Sequence, residues 1–83
     1  MAAVNIKAIK AEILEATLEK KPPASVVADD DLMDMMLKEY FNPASTTPRE
    51  YAVTAITAGA SIAAQGADIS EKTVRSILDQ YKP

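Results

Sequence analysis

The side chains whose type and spacing could support chemistry in this sequence are the carboxylates of Asp29, Asp30, Asp31 and Asp34. Carboxylate oxygens are the ligands that hard cations such as Ca²⁺ prefer. The cluster has neither the regularly spaced ligands nor the central glycine and terminal glutamate of a calcium-binding loop. Negative charge is also favourable at the N-cap and in the first turn of a helix. The pattern therefore favours a helix start over a metal site.

The residues that most enzymes use for catalysis are missing from the sequence. It contains no histidine and no cysteine, so the commonest general base, the thiolate nucleophile and the usual transition-metal ligands are absent. Its two glycines, Gly59 and Gly66, do not form a glycine-rich phosphate loop. A chain of 83 residues also has little room for a cleft. We therefore expect a protein that is not an enzyme and that holds no cofactor and no metal.

Composition narrows the class of partner. Acidic residues outnumber basic ones by 12 to 9, and the resulting net charge of −3 disfavours nucleic acid. The length predicts a single domain over residues 1–83. The chain does not open like a signal peptide, and its most apolar stretch, 53–67, is interrupted by polar residues. We expect no membrane partner and a cytoplasmic location.

The hydrophobic pattern predicts an all-α fold. In the first segment Ile6, Ile9 and Ile13 recur at helical spacing, and Pro22 and Pro23 end the helix. No useful stretch alternates apolar and polar residues as a strand does. The sequence predicts a small bundle of about four helices, at approximately 3–20, 29–41, 48–65 and 70–81.

The third predicted helix has the clearest start signal. Thr47-Pro48-Arg49-Glu50 matches a capping box, in which Thr47 caps the helix and Glu50 reaches back. The later polar residues fall on one narrow stripe, so most of this helix is expected to be buried as the central element. Gly59 lies in its middle, where glycine costs about 1 kcal/mol relative to alanine. Either another helix approaches closely at Gly59 or the helix breaks there.

The first predicted helix carries more apolar surface than one narrow core face requires. A strip formed by Ile6, Ile9 and Ile13 lies roughly 100° around the helix from a second strip that includes Leu14 and Leu18. The second strip needs its own cover, either another subunit or a broad core. A small chain without disulfides also gains stability from a partner. We expect a homodimer whose interface is drawn from Ile6, Ile9, Ile13, Leu14 and Leu18.

The C-terminal run AAQGADISEKTVR, residues 63–75, resembles the helix-turn-helix of LuxR-type transcription factors. Residues 47–50 also resemble the opening of that family's domain. The resemblance implies a DNA-binding protein whose last helix faces DNA through Ser70, Lys72, Thr73 and Arg75. The acidic net charge counts against this hypothesis, because it opposes binding to phosphates.

A second resemblance covers about half of the chain. A Tyr-Phe pair at 40–41, a long alanine-rich helix reaching Gly66 and the run ISEKTV at 69–74 are similar to the layout of the YmgB/AriR family. That family consists of small regulators of biofilm formation and acid resistance. The resemblance implies a helical dimer that connects to two-component signalling or modulates transcription, without catalytic residues.

Three functions follow from these observations. The leading one is a dimeric regulatory or adaptor protein that binds a protein partner through helix faces. The first alternative is a helix-turn-helix DNA-binding protein. The second is an accessory subunit of a phage or of a larger complex, whose helices complete another protein's core.

Overall fold

The structure is a computed structural model that describes residues 4–81, and five helices occur in that range. They are α1 (Ile6–Leu18), α2 (Ala24–Ala28), α3 (Leu32–Tyr40), α4 (Arg49–Ala63) and α5 (Glu71–Tyr81). Within the described residues there is no strand, and the predicted all-α helical bundle is confirmed. None of the helices in this range is long and apolar enough to cross a bilayer.

The helix boundaries differ from the predicted ones at several points. Each predicted helix is shorter in the structure, and the predicted start at Ala3 lies outside the described residues. The sequence reasoning missed α2, which begins directly after Pro23. A proline is compatible with a helix start because the first N–H groups of a helix need no intrahelical partner. The proline pair therefore precedes α2, whereas α1 already ends at Leu18 with Glu19 in a left-handed conformation.

Ser70 and Gly66 stand at helix ends as their residue types favour, whereas the predicted capping box does not form. The Ser70 hydroxyl accepts a hydrogen bond from the Thr73 amide (3.4 Å), as expected of an N-cap. Gly66 follows the end of α4 with φ at 85°, a left-handed conformation that glycine adopts readily. The predicted capping box at Thr47 and Glu50 is wrong. The Thr47 hydroxyl donates to the Glu39 carboxylate (3.1 Å), and Glu50 pairs with an arginine of α5.

The beginning of α3 lies in close contact with the middle of α4. A Cβ built on Gly59 would lie 2.6 Å from the backbone nitrogen of Met33, so only glycine fits without movement. The helix α4 continues unbroken through Gly59. Of the two expectations for this residue, close approach is therefore the one that the structure shows.

One hydrophobic core lies between α1, α3, α4 and α5. Contacts are richest between α3 and α4, while α1 packs mainly against α3 and α5. Apolar side chains on the inner faces of these four helices contribute most of its members. These are Ile9, Ile13, Leu14, Met33, Met36, Leu37, Tyr40, Ala52, Val53, Ile56, Ala60, Ile69, Val74, Ile77 and Leu78.

Candidate interaction surface

The largest exposed apolar side chains of residues 4–81 lie on several parts of the chain, and two of them share one helix. They are Val4, Met35, Tyr51, Ile62 and Tyr81. The two most exposed, Tyr51 at 64% and Ile62 at 66%, both belong to α4. Single exposed apolar residues are common in proteins, whereas a contiguous apolar patch indicates an interaction surface.

Tyr51 and Ile62 lie on the same side of α4. They are joined by Ala55, which is half-buried, and by Ala58, which is exposed. The spacing along this series is four, three and four residues, which keeps all four side chains on one face of a helix. We call these four residues the α4 face.

The α4 face is exposed because the neighbouring helices cover other sides of α4. Gly59 lies against the start of α3. On another side, the Ser61 hydroxyl donates a 2.7 Å hydrogen bond to the carbonyl of Ala67, in the loop that leads to α5. The expectation that most of this helix is buried is therefore wrong for the α4 face. Its polar stripe faces the loop and α5, while an apolar stripe faces outward.

The residues predicted to form the dimer interface lie elsewhere. Ile9, Ile13 and Leu14 are at most 1% exposed and belong to the core, while Ile6 and Leu18 pack partly buried against it. The physical reason is that α1 packs between α3 and α5, so both of its apolar strips are covered within one chain. A broad core face, the other expectation for this helix, describes its packing. The folded chain offers no surface at its three buried positions.

A cluster of charges holds α1 to the beginning of α3. The side chain of Lys10 is completely buried, and its Nζ lies 3.1 Å from the Asp31 carboxylate and 3.2 Å from that of Asp34. It also donates to the carbonyl of Asp29 at 2.7 Å. The Nζ of Lys7 lies 2.8 Å from Oδ2 of Asp34, the same oxygen that Lys10 contacts. A buried charge is tolerated when it is paired in this way.

The environment of Asp34 is dominated by these two lysines. Burial alone would raise the pKa of its carboxyl, but the hydrogen bonds from Lys7 and Lys10 outweigh it and hold the pKa below its ordinary value. Its second oxygen, Oδ1, is buried without a hydrogen bond to any described residue. The ammonium groups of Lys7 and Lys10 both contact Oδ2 of Asp34, so the cluster acts as a structural tie between α1 and α3. Asp31 caps α3 through the Asp34 amide, as the predicted helix start requires.

Sequence reasoning missed the lysines of this tie. Lys7 and Lys10 are three residues apart and therefore share a face of α1, which is a usable signal. The acidic partners stand more than 20 residues further along the chain. Nothing in the local pattern indicates that the two segments meet.

The four residues predicted to contact DNA are near one another on the first turns of α5, but they are not equivalent. Ser70 caps the helix, Thr73 is half-buried and Lys72 is exposed. Arg75 is occupied by an ion pair of 2.6 Å with Glu50 and a second of 3.3 Å with Glu71.

The pKa values of the Arg75 and Glu50 groups reflect this pairing. The hydrogen bond from Arg75 lowers the pKa of the Glu50 carboxyl, and the same bond raises the pKa of the guanidinium. To contact a phosphate, Arg75 would have to leave two carboxylates.

Comparisons of the chain with protein-family models, with curated proteins and with solved structures found no match. The resemblances to the YmgB/AriR family and to LuxR-type domains stay predictions from the sequence. What the candidate surface binds has to follow from the residues of this chain.

Proposed function

We propose that this protein is a small non-enzymatic regulatory or adaptor protein that acts by helix-mediated protein binding, as a homodimer. The observation that carries the proposal is the exposure of Tyr51 and Ile62 on one face of α4. The regulatory setting, transcriptional or two-component signalling control, is what the YmgB/AriR-like layout implies.

The kind of surface supports a protein partner over a nucleic acid. The α4 face contains one aromatic, one branched aliphatic and two alanine side chains, and none is charged. Aromatic anchors in an apolar surround are typical of protein interfaces, whereas DNA-binding surfaces depend on basic residues that neutralise phosphates. The arginine of the alternative site, Arg75, is already paired with acidic residues.

The test of the homodimer is sedimentation equilibrium over a concentration series from about 10 μM to about 1 mM. The mass is expected to rise from the 8.9 kDa of one chain toward twice that value. A mass that stays at one chain up to about 1 mM would contradict the homodimer.

The DNA-binding alternative is tested by fluorescence anisotropy with a labelled duplex at several salt concentrations. We expect no binding even at low salt. Micromolar binding that weakens steeply with salt, and weakens further on Lys72→Ala, would favour the helix-turn-helix hypothesis instead.

A further inference from the structure

We infer that the α4 face binds a second copy of this chain, with the two α4 helices antiparallel across a twofold axis that passes between Ala55 and Ala58. The inference rests on the proposed function, because it assigns the surface and the orientation through which the homodimer forms. The experiments below separate the two claims, so that the proposed geometry can be refuted while the homodimer is retained.

The order of residues on the α4 face matches itself when one helix is reversed. The spacing of four, three and four residues is the same from either end. In an antiparallel pair Tyr51 lies opposite Ile62 of the second copy, and Ala55 lies opposite Ala58 of the second copy. Large side chains therefore meet large ones, and the alanines in the middle allow the helix axes to approach to roughly 8 Å. The same patch on both subunits is what a twofold dimer requires.

A parallel pair fits less well. It would place Tyr51 on Tyr51 and Ile62 on Ile62, so that the two ends of the contact would have unequal thickness. It would also bring like ends of the two helix dipoles together, whereas the antiparallel pair sets the positive end of one α4 beside the negative end of the other.

Charge favours self-association through this face over other parts of the surface. Each chain carries a net charge of −3, so two copies repel each other wherever acidic groups meet. The α4 face carries no charge and avoids that repulsion at the contact itself.

The area available on the α4 face is small for a stable dimer. The exposed parts of the four side chains amount to roughly 350 Å² per copy, most of it from Tyr51 and Ile62. Two copies then bury roughly 700 Å², which is below the size of stable interfaces and in the range of weak, reversible ones. We therefore expect dissociation in the high micromolar range and rapid exchange between copies.

The surface is tested by a charge placed on the α4 face. Ile62→Asp introduces a carboxylate that two copies would have to bury, and it should raise the dimer dissociation constant at least about tenfold. Ser76→Asp is the matched control, because it adds the same charge at an exposed position on α5. A dimer that is weakened equally by both variants, or by neither, would overturn the inference while leaving the homodimer itself intact.

The orientation is tested without changing the α4 face. The chain has no cysteine, so Thr46→Cys provides a single attachment point for a nitroxide label in the exposed loop before α4. This copy is mixed with an unlabelled, ¹⁵N-enriched copy of the unchanged chain. Broadening is expected in the enriched copy around Ile62 and the end of α4. Broadening around Tyr51 would indicate a parallel pair and overturn the proposed geometry.

A disulfide experiment provides a second measurement of orientation. Tyr51→Cys and Ile62→Cys are oxidised separately and as a mixture. The antiparallel pair predicts a crosslink mainly in the mixture. Two copies of the Tyr51→Cys variant would hold their thiols roughly 16 Å apart along the helix axis, beyond the reach of a disulfide. If Tyr51→Cys alone crosslinks most efficiently, the antiparallel register is wrong. If sedimentation finds no dimer at all, the proposed function falls with it.

Discussion

The apolar faces of α1 and α4 have similar sequence patterns, but the face of α1 is covered by other helices and the face of α4 is exposed to solvent. Each carries apolar residues at helical spacing along more than one side. In α1 both strips are covered, because the helix packs against α3 and α5. In α4 the neighbours cover only part of the circumference, and Tyr51 and Ile62 remain exposed. The periodicity of a helix indicates which residues share a face, but the packing of the other helices decides which face is left over.

The largest difference in the free energy of unfolding should appear between two variants that each place one aspartate on α1 or on α4. Ile13→Asp puts an unpaired carboxylate at a fully buried position and should lower the free energy of unfolding by about 4 kcal/mol or more. Ile62→Asp should leave that free energy within about 0.5 kcal/mol, because the residue is 66% exposed. Urea unfolding of dilute samples measures both. Equal destabilisation by the two variants would mean that the faces do not differ as described.

The second-largest loss of stability should follow from breaking the charge cluster that ties α1 to the beginning of α3. Asp34→Asn removes a buried negative charge opposite the buried Lys10 and should cost about 3 kcal/mol of stability. Asp30→Asn is the control, because its side chain is 80% exposed and Lys7 keeps its other partners. Little difference between these variants in urea unfolding would show that the tie does not hold the helix.

The same tie predicts a dependence on pH. The folded pKa of Asp34 lies below its ordinary value of 3.8, so the ionised carboxylate stabilises the fold at pH values above 3.8. That contribution is lost as the pH falls through the folded pKa. Urea unfolding between about pH 5 and pH 2 should therefore show a smaller decline in stability for Asp34→Asn than for the unchanged chain. Parallel curves for the two proteins would contradict the assignment.

A smaller loss of stability is expected at the contact between Gly59 of α4 and the beginning of α3. Gly59→Ala would force a methyl group against the backbone of Met33 and should cost about 1–3 kcal/mol. Gly66→Ala meets open space but retains a positive φ, so a cost of about 1 kcal/mol is expected. Thermal or urea unfolding ranks the two. A stabilised Gly59→Ala would mean that the helices are not in close contact there.

The smallest loss of stability is expected from substitutions of charged residues on α5. Arg75→Ala removes two partly exposed ion pairs and should lower the urea midpoint less than Gly66→Ala does, because water screens such pairs. Lys72→Ala should leave the midpoint unchanged, since Lys72 makes no ion pair with a described residue. A larger loss for Lys72→Ala than for Arg75→Ala would contradict this arrangement of charges.

Local signals in the sequence were sufficient to predict four of the five helices in residues 4–81, all except α2. Leu32 to Tyr40 and Glu71 to Tyr81 form helices close to the predicted ranges 29–41 and 70–81. These features depend on residues a few positions apart, so a pattern can report them. The capping box failed because Thr47 and Glu50 found partners in distant segments that compete with the local hydrogen bonds.

The sequence by itself therefore determined the all-α class, the inner faces of the helices and the absence of histidine and cysteine chemistry. It also indicated that either another helix approaches closely at Gly59 or the helix breaks at that residue. Only the tertiary structure decided that α1 is covered, that Lys10 meets Asp34 and that Tyr51 and Ile62 remain exposed. The physical reason is that periodicity acts over a few residues, whereas burial depends on which distant segments pack against each face.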